Sequence, residues 1–273
     1  MKKLVKYISR TIDDELVKDG LCAVSRLDDY NRSKKIYMVV GGISTQSYLP
    51  TMCRRPTADI DLAVGKPLNY NGFKEFSKPI CEYMLEKGYE VSTKKGHNSY
   101  HIDITAKAGD SLLIEFSRRN EKKFKKFEKK MLRELENARN KRVEGREKSY
   151  YAASPEDIVI PKLARSINSL ERNPNFKREL SKISEDFSQE KIRSYLEHIA
   201  DLKEEAILNI GDLSIAERLR FISDLYDIRT LSEMVGFNET YFNEVSKDWD
   251  TLKKKGSIEV FSPIFPENLL NKI

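Results

Sequence analysis

The sequence predicts an α+β protein, a mixed sheet with helices over residues 1–150 followed by an α-helical bundle over residues 151–273. Three observations predict it. An apolar run ends in Gly41-Gly42, alternating strands separated by Gly-containing turns continue to residue 117, and unbroken helical periodicity runs on from about residue 150. A chain of 273 residues, 39% hydrophobic and 34% charged, is long enough for two modest globular domains.

Leu4, Val5, Ile8, Ile12 and Leu16 recur at helical spacing and predict an opening amphipathic helix. The run IYMVVGG then reads as a buried strand, and ADIDLAV as a second one. Strand alternation puts Asp59, Asp61 and Ala63 on one face and Ile60, Leu62 and Val64 on the other. Phe73, Phe76, Ile80, Tyr83 and Met84 predict a helix over 71–88 that stops at Gly88. The stretch 89–119 predicts a three-strand meander with turns at Gly96 to Asn98 and Gly109-Asp110, its last strand carrying Glu115 opposite Leu112, Ile114 and Phe116.

From Arg118 the composition changes. Phe124, Phe127, Met131 and Leu135 sit at helical spacing among crowded lysines and arginines, which predicts a basic amphipathic helix through 142. SPEDIVIPKLARSI supplies Ser154 as N-cap, Pro155 at the first helical position and acidic Glu156 and Asp157 in the first turn. Helices follow near 154–170, 176–187, 188–207, 213–235 and 238–254.

The charge totals, 49 Lys+Arg against 43 Asp+Glu, leave a net +6, too small by itself to demand a polyanionic partner. Cys22, Cys53 and Cys81 are widely spaced without a CxxC pair, which argues against a disulfide framework or a zinc knuckle and leads to the expectation of a reducing, cytoplasmic setting. Charges interrupt every apolar run, so no membrane segment is expected. His97 and His101 fall on a turn and a strand, where the helical His-x3-His metal geometry does not arise.

The chemistry concentrates in VVGGISTQSYLPTMCRRPTADIDLAV, residues 39–64. Asp59 and Asp61 project to one side of their strand with Cα atoms about 6.5 to 7 Å apart, where two carboxylates repel unless a cation lies between them. Mg²⁺ or Mn²⁺ relieves that repulsion, and such ions commonly bridge carboxylates to nucleotide phosphates. Gly41-Gly42 lets the backbone turn tightly and approach a ligand, and Ser44 offers a hydroxyl donor beside amides that favour phosphate. A phosphate cradle beside a metal site implies phosphoryl or nucleotidyl transfer.

The pattern GGISTQSYLP...RRPTADIDL resembles the first two motifs of the DNA polymerase beta-like nucleotidyltransferase superfamily. The Arg-x-Thr-x-Asp-Ile-Asp wording, with IEFSRR and SPEDIVIPKLA, is similar to its AbiEii-type and MenT-type toxin branch, over roughly residues 36–165. The resemblance implies Asp59 and Asp61 as metal ligands and Glu115 as the third acidic residue. It implies a triphosphate-binding turn at Gly41, Gly42 and Ser44, with Arg55 near the phosphates and Lys162 on the nucleotide or the transferring charge. The expected reaction moves NMP from a nucleoside triphosphate to an acceptor hydroxyl. RNA, as at the 3′ end of tRNA, is the implied acceptor, and a neutralising antitoxin the implied partner.

Departures from the family pattern are visible. Residues 43–58 form a longer gap than usual, and Pro161 precedes Lys162 inside a predicted helix. The branch also places an acidic residue some twenty positions beyond the lysine. Asp186 is the candidate here, while DLYDI at 224–228 has similar character but lies further along. Asp103 is the rival for the third carboxylate. Transfer to a protein or a small molecule, and a catalytically idle nucleic-acid-binding module, stand as alternatives.

Overall fold

The computed structural model describes residues 10–29, 35–117, 120–184, 187–253, 259–262 and 264. Two compact units divide the chain: Met1–Ser47 with Pro56–Ser154, and Tyr48–Arg55 with Pro155–Ile273.

In the first unit, α1 (Glu15–Asp29) precedes β1 (Tyr37–Val40), α2 (Gly41–Gln46), β2 (Asp59–Val64) and α3 (Tyr70–Glu86). The meander β3 (Glu90–Lys95), β4 (Ser99–Thr105) and β5 (Ser111–Ser117) follows, then α4 (Glu121–Asn137), β6 (Arg139–Arg142) and β7 (Ser149–Ala152). The strands form one seven-stranded sheet in the order β3-β4-β5-β2-β1-β7-β6. β2 runs parallel to β5 and β1 parallel to β7, while the remaining neighbours are antiparallel, so the sheet is mixed as expected.

One face of the sheet carries the core. Ile60 and Leu62 of β2, Ile102 and Ile104 of β4, and Leu112, Ile114 and Phe116 of β5 are all buried. Helices α1 and α3 pack there, α1 through Leu21, Ala23 and Val24, and α3 through Phe73, whose ring stacks 5.0 Å from Tyr100. Gly20 permits the approach of α1, since a Cβ there would lie 2.7 Å from Leu112 and 2.9 Å from Ile60. Each buried aliphatic side chain contributes roughly 1.5–3 kcal/mol, and a one-residue slip of any strand would turn that whole set outward. Core burial therefore fixes the register, and the register fixes Asp59, Asp61 and Glu115 on the opposite face.

Three elements differ from the sequence-based expectation, one of them the helix expected over 238–254, which stops at Ser246 and is followed by a 3-10 turn at Asp250–Lys253. Among the described residues the first helix begins at Glu15, with Ile12 buried just before it; Leu4, Val5 and Ile8 lie outside the described residues. The basic helix stops at Asn137 instead of 142, and residues 139–142 become β6, hydrogen-bonded along Tyr150 and Tyr151 of β7. Arg-Asn-Lys-Arg has no apolar alternation of its own, so nothing local marks it as a strand. Its partner does the work, because Tyr150 and Ala152 are buried and β7 adds to the edge of β1.

The second unit is helical: α5 (Pro155–Arg172), α6 (Lys177–Ser184), α7 (Gln189–Leu208), α8 (Leu213–Met234) and α9 (Glu239–Ser246). Side-chain caps set the breaks, with Ser188, Asp212 and Asn238 accepting from the amides of Lys191, Ser214 and Tyr241. α8 packs against α5, α6 and α7 and is buried from Phe221 to Ile228, the behaviour of a helix surrounded on all sides. Among the described residues no helix is long and apolar enough to cross a membrane.

Candidate functional site

Each side chain of the carboxylate cluster is placed by the strand ladder. Asp61 stands opposite Val40 of β1 on one side and Glu115 of β5 on the other, and Asp59 lies two residues back on the same face. Asp59, Asp61 and Glu115 are half-buried, and one oxygen from each lies within 4.8 Å of the other two. Opposite oxygens on a Mg²⁺ ion are separated by about 4 Å at ~2.1 Å per bond, so modest side-chain rotation closes this trio on one cation. An all-oxygen donor set of this charge suits a hard divalent ion.

The two glycines are explained by the same strand. Gly41 has φ +69°, and a Cβ on it would lie 2.2 Å from Asp61 Oδ2. A Cβ on Gly42 would lie 2.8 Å from Thr57 Oγ1. Any side chain at either position would push into the groups that hold the carboxylates. Ser44 is fully buried, and its hydroxyl points at the Ala153 carbonyl, 3.5 Å away.

Thr57, within the Arg-x-Thr-x-Asp-Ile-Asp run, supports the cluster from one side. Its hydroxyl donates to Asp59 Oδ1 at 3.2 Å, and its backbone is held by two 2.8 Å hydrogen bonds to Arg10. Arg10 is anchored in turn, with Nε donating to the Ser111 carbonyl and ion pairs to Asp14 and Asp110. The signal lay in the spacing, since a hydroxyl two residues before a strand carboxylate is a natural support for it.

Glu115 has a second neighbour. His101 faces it across the β4–β5 ladder, with Nε2 3.4 Å from Glu115 Oε2 and 2.6 Å from Ser99 Oγ. Asp103 shares the face but sits opposite Leu113, is ion-paired with Lys94, and is not one of the three clustered carboxylates.

Arg55 and Lys162 belong to the helical unit and are engaged there. Arg55 forms a two-pronged pair with Asp227, Nε to Oδ1 at 2.7 Å and a terminal nitrogen to Oδ2 at 2.6 Å. Lys162 Nζ reaches Asp224 Oδ1 at 3.0 Å and Asp227 Oδ2 at 2.8 Å. Arg165, one turn along α5 from Lys162, grips Asp224 with two further hydrogen bonds. Burial would raise the Asp224 carboxyl, but the Lys162 charge and the Arg165 hydrogen bonds outweigh it and hold the group below the usual carboxylate range. The acidic partners of Lys162 are thus the two aspartates of DLYDI, and Asp186 lies outside the described residues.

No protein-family model matches the chain, and no curated protein matches it. Among solved structures it is similar to the crystal structure of an antigenic nucleotidyltransferase-like protein from Paracoccidioides brasiliensis. The identity is 14%, over 95% of this chain and 98% of that chain, with a TM-score of 0.42. A likeness at that level assigns neither an activity nor a ligand to this chain.

Proposed function

We propose that this protein is a metal-dependent nucleotidyltransferase that moves NMP from a nucleoside triphosphate to an acceptor hydroxyl, with RNA as the acceptor. One observation carries the reading: Asp59, Asp61 and Glu115 converge on one point of a strand pair whose register the core dictates. Three carboxylates gathered beside a backbone that only glycine can supply are costly without a cation and useful with one.

Asp59, Asp61 and Glu115 would hold Mg²⁺ or Mn²⁺, which when bound supplies charge neutralisation for phosphate oxygens. In the transfer, the acceptor oxygen attacks the α-phosphorus, a P–O bond forms, the bond to the β-phosphate oxygen breaks, and pyrophosphate leaves. Glu115 orients the acceptor hydroxyl and takes its proton, with His101 beside it at 3.4 Å. Thr57 steadies Asp59 through its hydroxyl hydrogen bond. Gly41 and Gly42 keep the space beside Asp61 and Thr57 clear of side chains.

Roles for Ser44, Arg55 and Lys162 toward the triphosphate rest on the motif resemblance, as do the tRNA 3′ end, a toxin activity and an antitoxin partner. The deciding experiment incubates the protein with each α-labelled triphosphate, Mg²⁺ or Mn²⁺, and total RNA or lysate, beside an Asp61→Ala variant. Label in RNA from the parent alone is the expected result. Label in protein would replace the acceptor, and equal labelling by both chains would remove the site.

A further inference from the structure

The chain carries its net charge in one place. Residues 121–142, which make α4 and β6, hold ten Lys+Arg against four Glu, a local +6 that equals the net charge of all 273 residues. The remainder of the molecule is balanced. A charge held by a helix and the strand that follows it is a surface feature that the reaction at the carboxylates does not use.

The helix is fixed to its own unit along one stripe. Phe124, Met131 and Leu135 are buried, Leu135 against Gly65, and Lys35 Nζ binds the carbonyls of Glu136 and Ala138 at the C-terminal end. At 100° per residue, Lys122, Lys123, Lys126, Lys129, Lys130 and Arg133 occupy a continuous arc on the side away from that stripe. Lys122, Lys123 and Lys129 are exposed and form no ion pair among the described residues. At the edge of the arc the Phe127 ring is 44% exposed, with Lys126 Nζ 5.7 Å from its centroid.

We infer that the outer face of α4, continued by β6, is the docking surface for single-stranded RNA, with lysines tracking phosphates and Phe127 offering a ring to an unpaired base. The choice of RNA rests on the reaction proposed above, which needs an acceptor hydroxyl. Several features of the surface match. Exposed aromatic and cationic side chains side by side are what a flexible strand requires. Insertion of α4 into an anionic membrane would need its apolar face, which is already buried in the fold.

Fluorescence anisotropy with a labelled 20-nucleotide single-stranded RNA tests this on the full chain without nucleotide or metal. The Lys122→Glu, Lys126→Glu, Lys129→Glu triple variant should bind at least tenfold more weakly, and its plot of log affinity against log salt should flatten by about two units, at ~0.7 per lost phosphate contact. The milder triple change to Gln, which guards against misfolding, should lie between that variant and the parent. Phe127→Ala should weaken binding about tenfold while leaving the salt slope alone, because stacking releases no counterions. A control reversing Lys78, Lys95 and Lys107, exposed elsewhere on the same unit, changes net charge equally and should leave binding within about threefold. Parent-like binding by the α4 triple variant, an equal loss in the control, tighter binding to duplex DNA, or binding only to phosphatidylserine vesicles would each overturn the surface. RNA binding lost on reversal with no label ever transferred would keep the surface and remove the proposed reaction. Transfer to RNA at unchanged KM by the reversed chain would do the opposite.

Discussion

Gly41 leaves no room for a side chain because Asp61 already occupies it: a Cβ would stand 2.2 Å from Oδ2. The glycine and the aspartate are therefore one device, a backbone in the left-handed region at φ +69° closing over a carboxylate on the adjoining strand. Gly41→Ala should cost ~1–2 kcal/mol in backbone strain alone and displace the Asp61 side chain as well. Mn²⁺ titration of the variant followed by thermal melting should show the metal-induced rise in Tm largely lost. A full metal response would mean that the carboxylate's position is not set by this contact.

Removing a carboxylate should separate repulsion from binding. Without metal, Asp61→Asn is expected to be as stable as the parent or slightly more so, since one of three clustered charges is gone. With Mg²⁺ or Mn²⁺ at a hundred times its Kd, the parent should gain about 2.7 kcal/mol and the variant much less. Paired melts with and without metal make the comparison. An Asp61→Asn chain destabilised in both conditions and still metal-responsive would show that the carboxylate serves the fold alone.

Thr57→Val keeps shape and the backbone bridge to Arg10 but removes the donor to Asp59 Oδ1. The expected effect is a roughly tenfold weaker metal affinity with little change in the metal-free melt, the pattern of a group that steadies a ligand. Calorimetric titration with Mn²⁺ measures it. An unchanged Kd would assign the hydroxyl to local packing.

The distinction between these residues is also the distinction between what a linear chain discloses and what it conceals. Asp59, Asp61 and Glu115 were legible because strand alternation is local and the apolar residues between them declare which face is inside. The helix starts at 188, 213 and 238 were legible for the same reason, as capping chemistry is written within three residues of each. Thr57 was legible only in part, since its spacing from Asp59 is local but its placement depends on Arg10, 47 residues away, holding the loop. The engagement of Lys162 with Asp224 and Asp227 was concealed by chain separation, and DLYDI looked too distant to be its partner. Spacing of three on both helices, Lys162 with Arg165 and Asp224 with Asp227, is the clue that sequence reasoning had to hand, because i,i+3 pairs share a helix face. β6 carried no signal at all, being a strand by virtue of its neighbour.

The buried network should make the helical unit acid-sensitive in a defined direction. Asp224 has its carboxyl held below the ordinary value, with burial opposed and outweighed by Lys162 and Arg165. A depressed folded value means the unfolded chain takes up the proton first. The contribution of Asp224 is therefore complete above the ordinary Asp pKa of about 3.9 and is lost as pH falls below it toward the folded value. Asp224→Asn removes that dependence and leaves Lys162 and Arg165 with a partner short, at a cost of about 3–5 kcal/mol near neutral pH. Trp249, the single tryptophan, lies in the same unit and reports its unfolding by fluorescence. Urea titrations from pH 7 to 2 should show parent stability declining below about pH 4 and the Asn variant, lower throughout, declining less steeply. Parallel slopes for the two chains would locate the acid sensitivity elsewhere and remove Asp224 as its source.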